Sequence, residues 1–389
     1  MIPPPLHDAV HFRADPPAIL APRPRQVSFG RLVARVPPGS SRAIVYVDGS
    51  RAAERAVSGT RVAFRLDLAP RDHRIRVVAK DTVGPIGEDV VNRVFGLPRA
   101  AAPHGTVGYL DPTLQRRLRR LTDGLAGVKA FYVMQLDTGR GAGWNARARF
   151  PAASTVKLAI ALAVARRHHG IPPRGSWLAE RLRAMLEVSS NAAANDLLVW
   201  LGGSQTAGAL RVDGLLDRLG LRDSYLYSGY ILGTAAARPI PANVVASPVI
   251  AGKYTTAYDL ARLHRAVHLG TVGRGPLARR FSRISPREVR YLLYLLCHSA
   301  DHGKLDRYVA GPDVAVPHKA GWISTARHDA GIVYWPGGAF VAAVMTWNPY
   351  GVTSASDVLA GRIARTSLRR FRAVAGRPAL PGSSRSAPS

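Results

Sequence analysis

Alternating apolar and polar positions give the first third of the chain a different character from the rest. Val62, Phe64, Leu66 and Leu68 alternate with Ala63, Arg65 and Asp67, the period-two pattern of a half-buried strand. Runs over 27–36, 43–47 and 74–80 are similar, and turn formers separate them: Pro37-Pro38-Gly39, Asp48-Gly49, Ser58-Gly59 and Pro70 to Asp72. This spacing predicts a small β-sandwich over residues 27–97, similar in its strand pattern to immunoglobulin-like modules. Residues 1–26 hold seven prolines and little periodicity, which predicts an extended arm. Residues 98–107 read as a linker.

After the linker the period lengthens. Asp111-Pro112 has the form of a helix N-cap followed by a first-turn proline, and Leu114, Leu118, Leu121 and Leu125 share one face of the helix it opens. Residues 158–165 are apolar on every side, so that helix is expected to be buried all round. Helices are predicted to dominate from 154 to 219. Strands are predicted over 130–136, 314–316, 330–335 and 340–347, with a last amphipathic helix over 354–371. A second domain over 108–375 and a disordered tail over 376–389 complete the expected organisation.

No apolar run approaches the 18 residues that a transmembrane helix needs. The opening Met-Ile-Pro-Pro-Pro-Leu has neither the basic start nor the apolar core of a signal peptide. The 389 residues carry 54 basic and 25 acidic side chains, a net charge of +29, and lysine is found only at 80, 129, 157, 253, 304 and 319. Such a charge suits a nucleic acid or an anionic cell envelope. Its arginines are spread over both parts and no nucleic-acid motif is present, so a specific nucleic-acid partner is not expected. Arg116, Arg117, Arg119 and Arg120 read as a solvated helix face. A single cysteine, Cys297, excludes an intrachain disulfide and a multi-cysteine metal site, and its apolar surroundings predict a core thiol. His168 and His169 are adjacent and no HExxH pair occurs, so neither a catalytic metal nor another cofactor is expected.

Three short segments carry chemistry. Ser154 opens the apolar helix, where free N–H groups favour a developing anion, and Lys157 lies three residues on along the same face. A lysine in an otherwise apolar helix is costly without a role, and burial lowers its pKa towards that of a general base. Ser189-Ser-Asn191 precedes a second apolar helix, and Lys319-Ala-Gly321-Trp322 lies on a predicted strand. In order, Ser-x-x-Lys, Ser-x-Asn and Lys-x-Gly resemble the three motifs of the class A β-lactamases and penicillin-binding proteins. The similarity runs from Asp111 to about Ala375. It takes in Asn195, Leu201-Gly-Gly203, Thr255-Thr256 and His328-Asp329 with the strand that follows.

The resemblance implies an all-α lobe packed on an α/β lobe with a mainly antiparallel sheet. It also implies Ser154 as acyl-accepting nucleophile, Lys157 as its base, and Ser189 as proton donor to the leaving nitrogen. Lys319 would hold the Ser189 hydroxyl and attract a substrate carboxylate, and Asn191 would bind the acyl amide. The amides of Ser154 and Trp322 would form the oxyanion hole, and Gly321 would let the substrate backbone approach. The substrate implied is a β-lactam or a peptidoglycan-like amide, and the location extracytoplasmic. Two departures shape the expected activity. Ala320 stands where the family usually has Thr or Ser. No glutamate occurs between Glu187 and Glu288, where class A enzymes place the residue that activates the deacylating water; Asp223 and Asn243 do not match that motif. Slow deacylation is the expectation, with a non-turnover penicillin-binding sensor or scaffold as the alternative. Oligomeric state is left open.

Overall fold

The computed structural model describes residues 15–232 and 252–374. The chain divides after Gly96 into two compact units. The expectation of a disordered tail and the reading of Asn243 fall outside the described residues.

The N-terminal unit has eight strands: β1 (Ala18–Ala21), β2 (Gln26–Ser28), β3 (Arg31–Arg35), β4 (Arg42–Val47), β5 (Ser50–Ala56), β6 (Arg61–Arg65), β7 (Asp72–Lys80) and β8 (Pro85–Gly96). They form a three-stranded sheet in the order β1-β3-β6 and a five-stranded sheet in the order β2-β8-β7-β4-β5. Ile19, Leu32, Ala34, Val62 and Phe64 from the first share one core with Val45, Ile75, Val77, Val91 and Val94 from the second. The alternation in β6 is realised as read, with Val62 and Phe64 buried between exposed Arg61, Ala63 and Arg65. Two expectations need correction. Residues 18–21, assigned to an extended arm, instead pair as β1 with β3. Residues 27–36 are not one strand: Gly30, at φ 78°, breaks them so that β2 and β3 serve different sheets.

The second unit is built on a six-stranded sheet of order β14-β15-β16-β10-β11-β9. The strands are β9 (Tyr109–Leu110), β10 (Val128–Gln135), β11 (Arg140–Trp144), β14 (His318–Ile323), β15 (Ala326–Trp335) and β16 (Gly338–Trp347). Every pairing is antiparallel except β9 with β11. Two short strands, β12 (Phe150–Pro151) and β13 (Tyr254–Thr255), pair separately.

The terminal helices α1 (Pro112–Asp123) and α9 (Ala355–Val374) cover one face of the large sheet. Leu114, Leu118, Ile363, Leu368 and Phe371 pack there on Phe131, Val133, Phe340 and Ala342. Asp111 caps α1 through the amides of Thr113 and Leu114, and it is paired with Arg140 and Arg370. Alternate residues of β10 face the other way, where the Tyr132 ring meets Tyr258 edge-on at 5.2 Å.

Tyr258 lies on α6 (Ala257–Gly270). The remaining helices are α2 (Lys157–His168), α3 (Trp177–Glu187), α4 (Asn191–Gly202), α5 (Gln205–Leu219), α7 (Gly275–Arg280) and α8 (Pro286–Cys297). Helix α2 is buried continuously from Lys157 to Ala165, as its unbroken apolar surface requires. Cys297 closes α8 and is only half-buried, so the expected core thiol is corrected. The strand expected at 314–316 begins at His318 instead, with Ala315 making only an isolated bridge to Tyr334. No described helix is long and apolar enough to cross a membrane.

Candidate active site

The three sequence motifs meet between α2, α4 and β14. Helix α2 starts at Lys157, so Ser154 lies in the turn before it rather than in its first helical turn. That turn is tight: the Lys157 amide donates to Ser154 O at 3.2 Å and the Thr155 amide to Ala152 O at 3.2 Å. Ala153, at φ 47°, sits in the left-handed region just before the serine. The turn is held from outside as well. Ala152 N donates to Lys253 O at 3.0 Å, and β12 pairs with β13 beside it. Buried His328 on β15 accepts from Thr346 N at its Nδ1, which leaves Nε2–H to donate to Pro151 O at 2.8 Å. Burial keeps that imidazole neutral, with a pKa of about 4.

Strand β14 runs against the same turn. A Cβ on Gly321 would lie 2.6 Å from Ser154 N and 2.8 Å from Thr155 N. Only glycine fits there, and the backbone on either side of it is thereby held close to the Ser154 amide. Trp322 follows and is 63% exposed.

Lys157 is fully buried. Its Nζ donates to Ser189 O at 2.6 Å and to Asn191 Oδ1 at 2.7 Å, and it lies 4.6 Å from the centre of the Tyr230 ring. Burial is the main reason its pKa falls to about 6, and the nearby Lys319 charge adds to the effect. A neutral amine has two N–H donors and one lone pair. Both donors have acceptors here, which leaves the lone pair for a proton. Among the described residues no hydrogen bond joins Ser154 Oγ to Lys157; the two are linked through the turn.

Ser189 adopts φ 59°, a second left-handed non-glycine residue. Its hydroxyl accepts from Lys319 Nζ at 2.9 Å, and Lys319 also donates to Ala320 O at 2.9 Å. Lys319 is itself buried. That burial pulls its pKa down to about 8, opposed by the carboxylates of Asp301 and Asp329. Ser190 caps α4 by accepting from Ala193 N, which places Asn191 at the first helical position, facing Lys157.

Sequence reasoning named Ser154, Lys157, Ser189, Asn191, Lys319, Gly321 and Trp322, and the fold gathers these segments. It missed a third wall, residues 228–231. Asn191 Nδ2 donates to Ile231 O at 3.1 Å. Asn195 clamps Tyr230 from both sides, donating to its carbonyl at 2.8 Å and accepting its amide at 2.6 Å. Lys253 donates to Gly229 O at 2.5 Å and places its ammonium 4.9 Å from the centre of the Tyr230 ring, so one ring lies near two lysines. Lys253 is half-buried with a pKa lowered to about 8, and its rarity as one of six lysines was the available signal.

The family model described as Beta-lactamase enzyme family matches residues 113–169 and 173–371. No curated protein matches the sequence. Among solved structures, PBP-A aligns with a TM-score of 0.52 at 21% identity, over 69% of this chain and 98% of its own. A beta-lactamase from Sphaerobacter thermophilus aligns with a TM-score of 0.53 at 21% identity, over 68% of this chain and 98% of its own. The class A beta-lactamase from Mycobacterium abscessus gives a TM-score of 0.53 at 18% identity, over 67% and 99%. All three share the fold of the second unit's helical and sheet lobes.

Proposed function

Because the chain belongs to the beta-lactamase enzyme family, we propose that it is a serine hydrolase acylated at Ser154 by β-lactams or peptidoglycan-like amides. The observation that carries this reading is the state of Lys157: buried, with a depressed pKa, and with both amine donors engaged. In this reading the free lone pair takes the Ser154 hydroxyl proton as Oγ attacks the substrate carbonyl carbon. The carbonyl π electrons move to oxygen, which the amides of Ser154 and Trp322 receive; such donors are typically worth about 3 kcal/mol each. Collapse breaks the C–N bond. The leaving nitrogen takes a proton from Ser189 Oγ, which regains one from the Lys157 ammonium, with Lys319 fixing the hydroxyl and drawing the substrate carboxylate. Asn191 binds the acyl amide.

Deacylation is slow in this proposal, because a water near the ester has no glutamate from the 188–287 stretch to activate it. One solved relative in fold is an acyl-enzyme complex of a PBP-A mutant with penicillin G, which fits an acylated serine in this scaffold. A fluorescent penicillin should label the wild-type chain and leave Ser154→Ala unlabelled; labelling of the mutant overturns the assignment. Ala320, which provides no hydroxyl for a substrate carboxylate, favours a second reading as a non-turnover penicillin-binding sensor. Mass spectrometry over time separates the two: an adduct that forms and clears marks the hydrolase, a permanent one the sensor.

The N-terminal unit is read as an immunoglobulin-like module. Its first two strands divide between the sheets, and β2 runs parallel to the last strand, β8. Members of the family usually work outside the cytoplasmic membrane, which supports reading this chain as extracytoplasmic, and a charge of +29 would suit an anionic envelope there.

A further inference from the structure

Behind the lysine strand lies a group of side chains that the acylation chemistry does not use. His302, Asp306 and His318 present ligand atoms that all lie within 4.8 Å of one another. His302 and Asp306 belong to the connection before β14, and His302 Nδ1 lies 3.1 Å from Asp306 Oδ2. The other Asp306 oxygen accepts from the amides of Gly303 at 2.9 Å and Lys304 at 2.8 Å, which fixes the carboxylate and leaves Oδ2 towards the histidine.

His318 opens β14 and is buried. Its Nδ1 is within 2.8 and 2.9 Å of the two Asp329 oxygens, and Asp329 also accepts from Leu305 N at 3.0 Å. A carboxylate on one imidazole nitrogen sets the tautomer and turns the other nitrogen outwards as a ligand, the arrangement found behind metal-binding histidines.

We propose that His302, Asp306 and His318 bind a divalent transition-metal ion of the zinc class, with Asp329 orienting His318 and solvent taking the fourth position. Two imidazoles and a carboxylate are a favourable donor set for Zn²⁺. Bonds of about 2.0–2.1 Å in a tetrahedron put ligand atoms about 3.3 Å apart. The His302–Asp306 pair already stands close to that separation. His302, whose side chain is 73% exposed, has the freedom to close the rest.

The ion is a brace rather than a catalyst. Successive residues of a strand face opposite ways, so His318 points away from the side on which Lys319 reaches Ser189. Bound metal ties the 302–306 turn to the first residue of β14, immediately before that lysine.

The test uses the full chain freed of metal by chelation. Zn²⁺ alone is titrated by calorimetry and Co²⁺ by its visible absorption, with thermal melting as a second readout. Expected are one saturable site per chain, the intense visible bands of tetrahedral Co²⁺, and a melting temperature raised by Zn²⁺. His302→Ala and Asp306→Asn should each weaken binding at least tenfold and abolish the Zn²⁺ shift. Both should melt like the wild type in metal-free buffer, because His302 is exposed and asparagine keeps the Oδ1 acceptor. Absence of saturable binding, or binding that both variants retain, makes the cluster an ion-pair network only and overturns the site.

Discussion

Lys319 Nζ donates to Ser189 Oγ at 2.9 Å, joining two residues 130 positions apart in sequence. Ser189 lies between helices and Lys319 on the sheet, so this bond is a direct polar link between the two lobes. If the pair acts as one proton-delivery unit, Ser189→Ala and Lys319→Ala should each slow acylation about 100-fold or more. The double variant should be little slower than either single, as groups that act together are non-additive. Stopped-flow labelling with a chromogenic cephalosporin measures all four corners of the cycle; fully additive losses would show that the two residues act separately.

The lysines also set the pH response. In the proposed mechanism Lys157 works as a neutral base with a pKa of about 6, so its part would be lost as pH falls through 6. In the same mechanism Lys319 works as a cation with a pKa of about 8, so its part would be lost as pH rises through 8. The second-order acylation constant should therefore trace a bell centred near pH 7. A flat profile from pH 5 to 9 would contradict the assigned charge states.

Burial of Lys157 carries a cost that a neutral residue avoids. In the unfolded chain the amine keeps its ordinary pKa of 10.5, and in the folded chain the value is about 6. Between those values the unfolded state binds the extra proton, so stability rises with pH and the penalty is fully present below pH 6. Lys157→Met should abolish labelling yet raise stability at pH 7 by about 2 kcal/mol, after allowing for two lost hydrogen bonds. Thermal melts at pH 6.5 and 9.5 check the sign: the advantage of the variant must shrink at the higher pH.

Gly321→Ala is expected to damage acylation by steric contact alone. Its new methyl group would meet main-chain nitrogens of the serine turn at 2.6 and 2.8 Å, and neither can rotate away. A displacement of the turn near 1 Å costs about 100-fold in rate. Covalent labelling kinetics, with circular dichroism confirming the fold, read this out.

Short motifs with strong local signals were legible in the sequence. Ser154, Lys157 and the apolar helix behind them stand in one segment, and a lysine on a buried helix is conspicuous where arginine outnumbers it so heavily. The β6 alternation was equally plain. The segments that escaped were set by tertiary pairing. β1 has no alternation of its own and becomes a strand only because β3 offers an edge. The 27–36 run hid its break because one glycine, not a turn cluster, redirects the chain. Tyr230 could not be found from spacing, since it is held by Asn195 from a distant helix.

Ala153 and Ser189, at φ 47° and 59°, hold the serine turn and the Ser189 loop in backbone shapes that a free chain avoids. Each such residue stores about 1–2 kcal/mol, kept in place only by what packs around it. The reactive geometry is therefore a more sensitive gauge of native packing than the helices and strands themselves. Under rising denaturant the chain should lose its capacity for covalent labelling before it loses its circular dichroism, going silent while still largely folded.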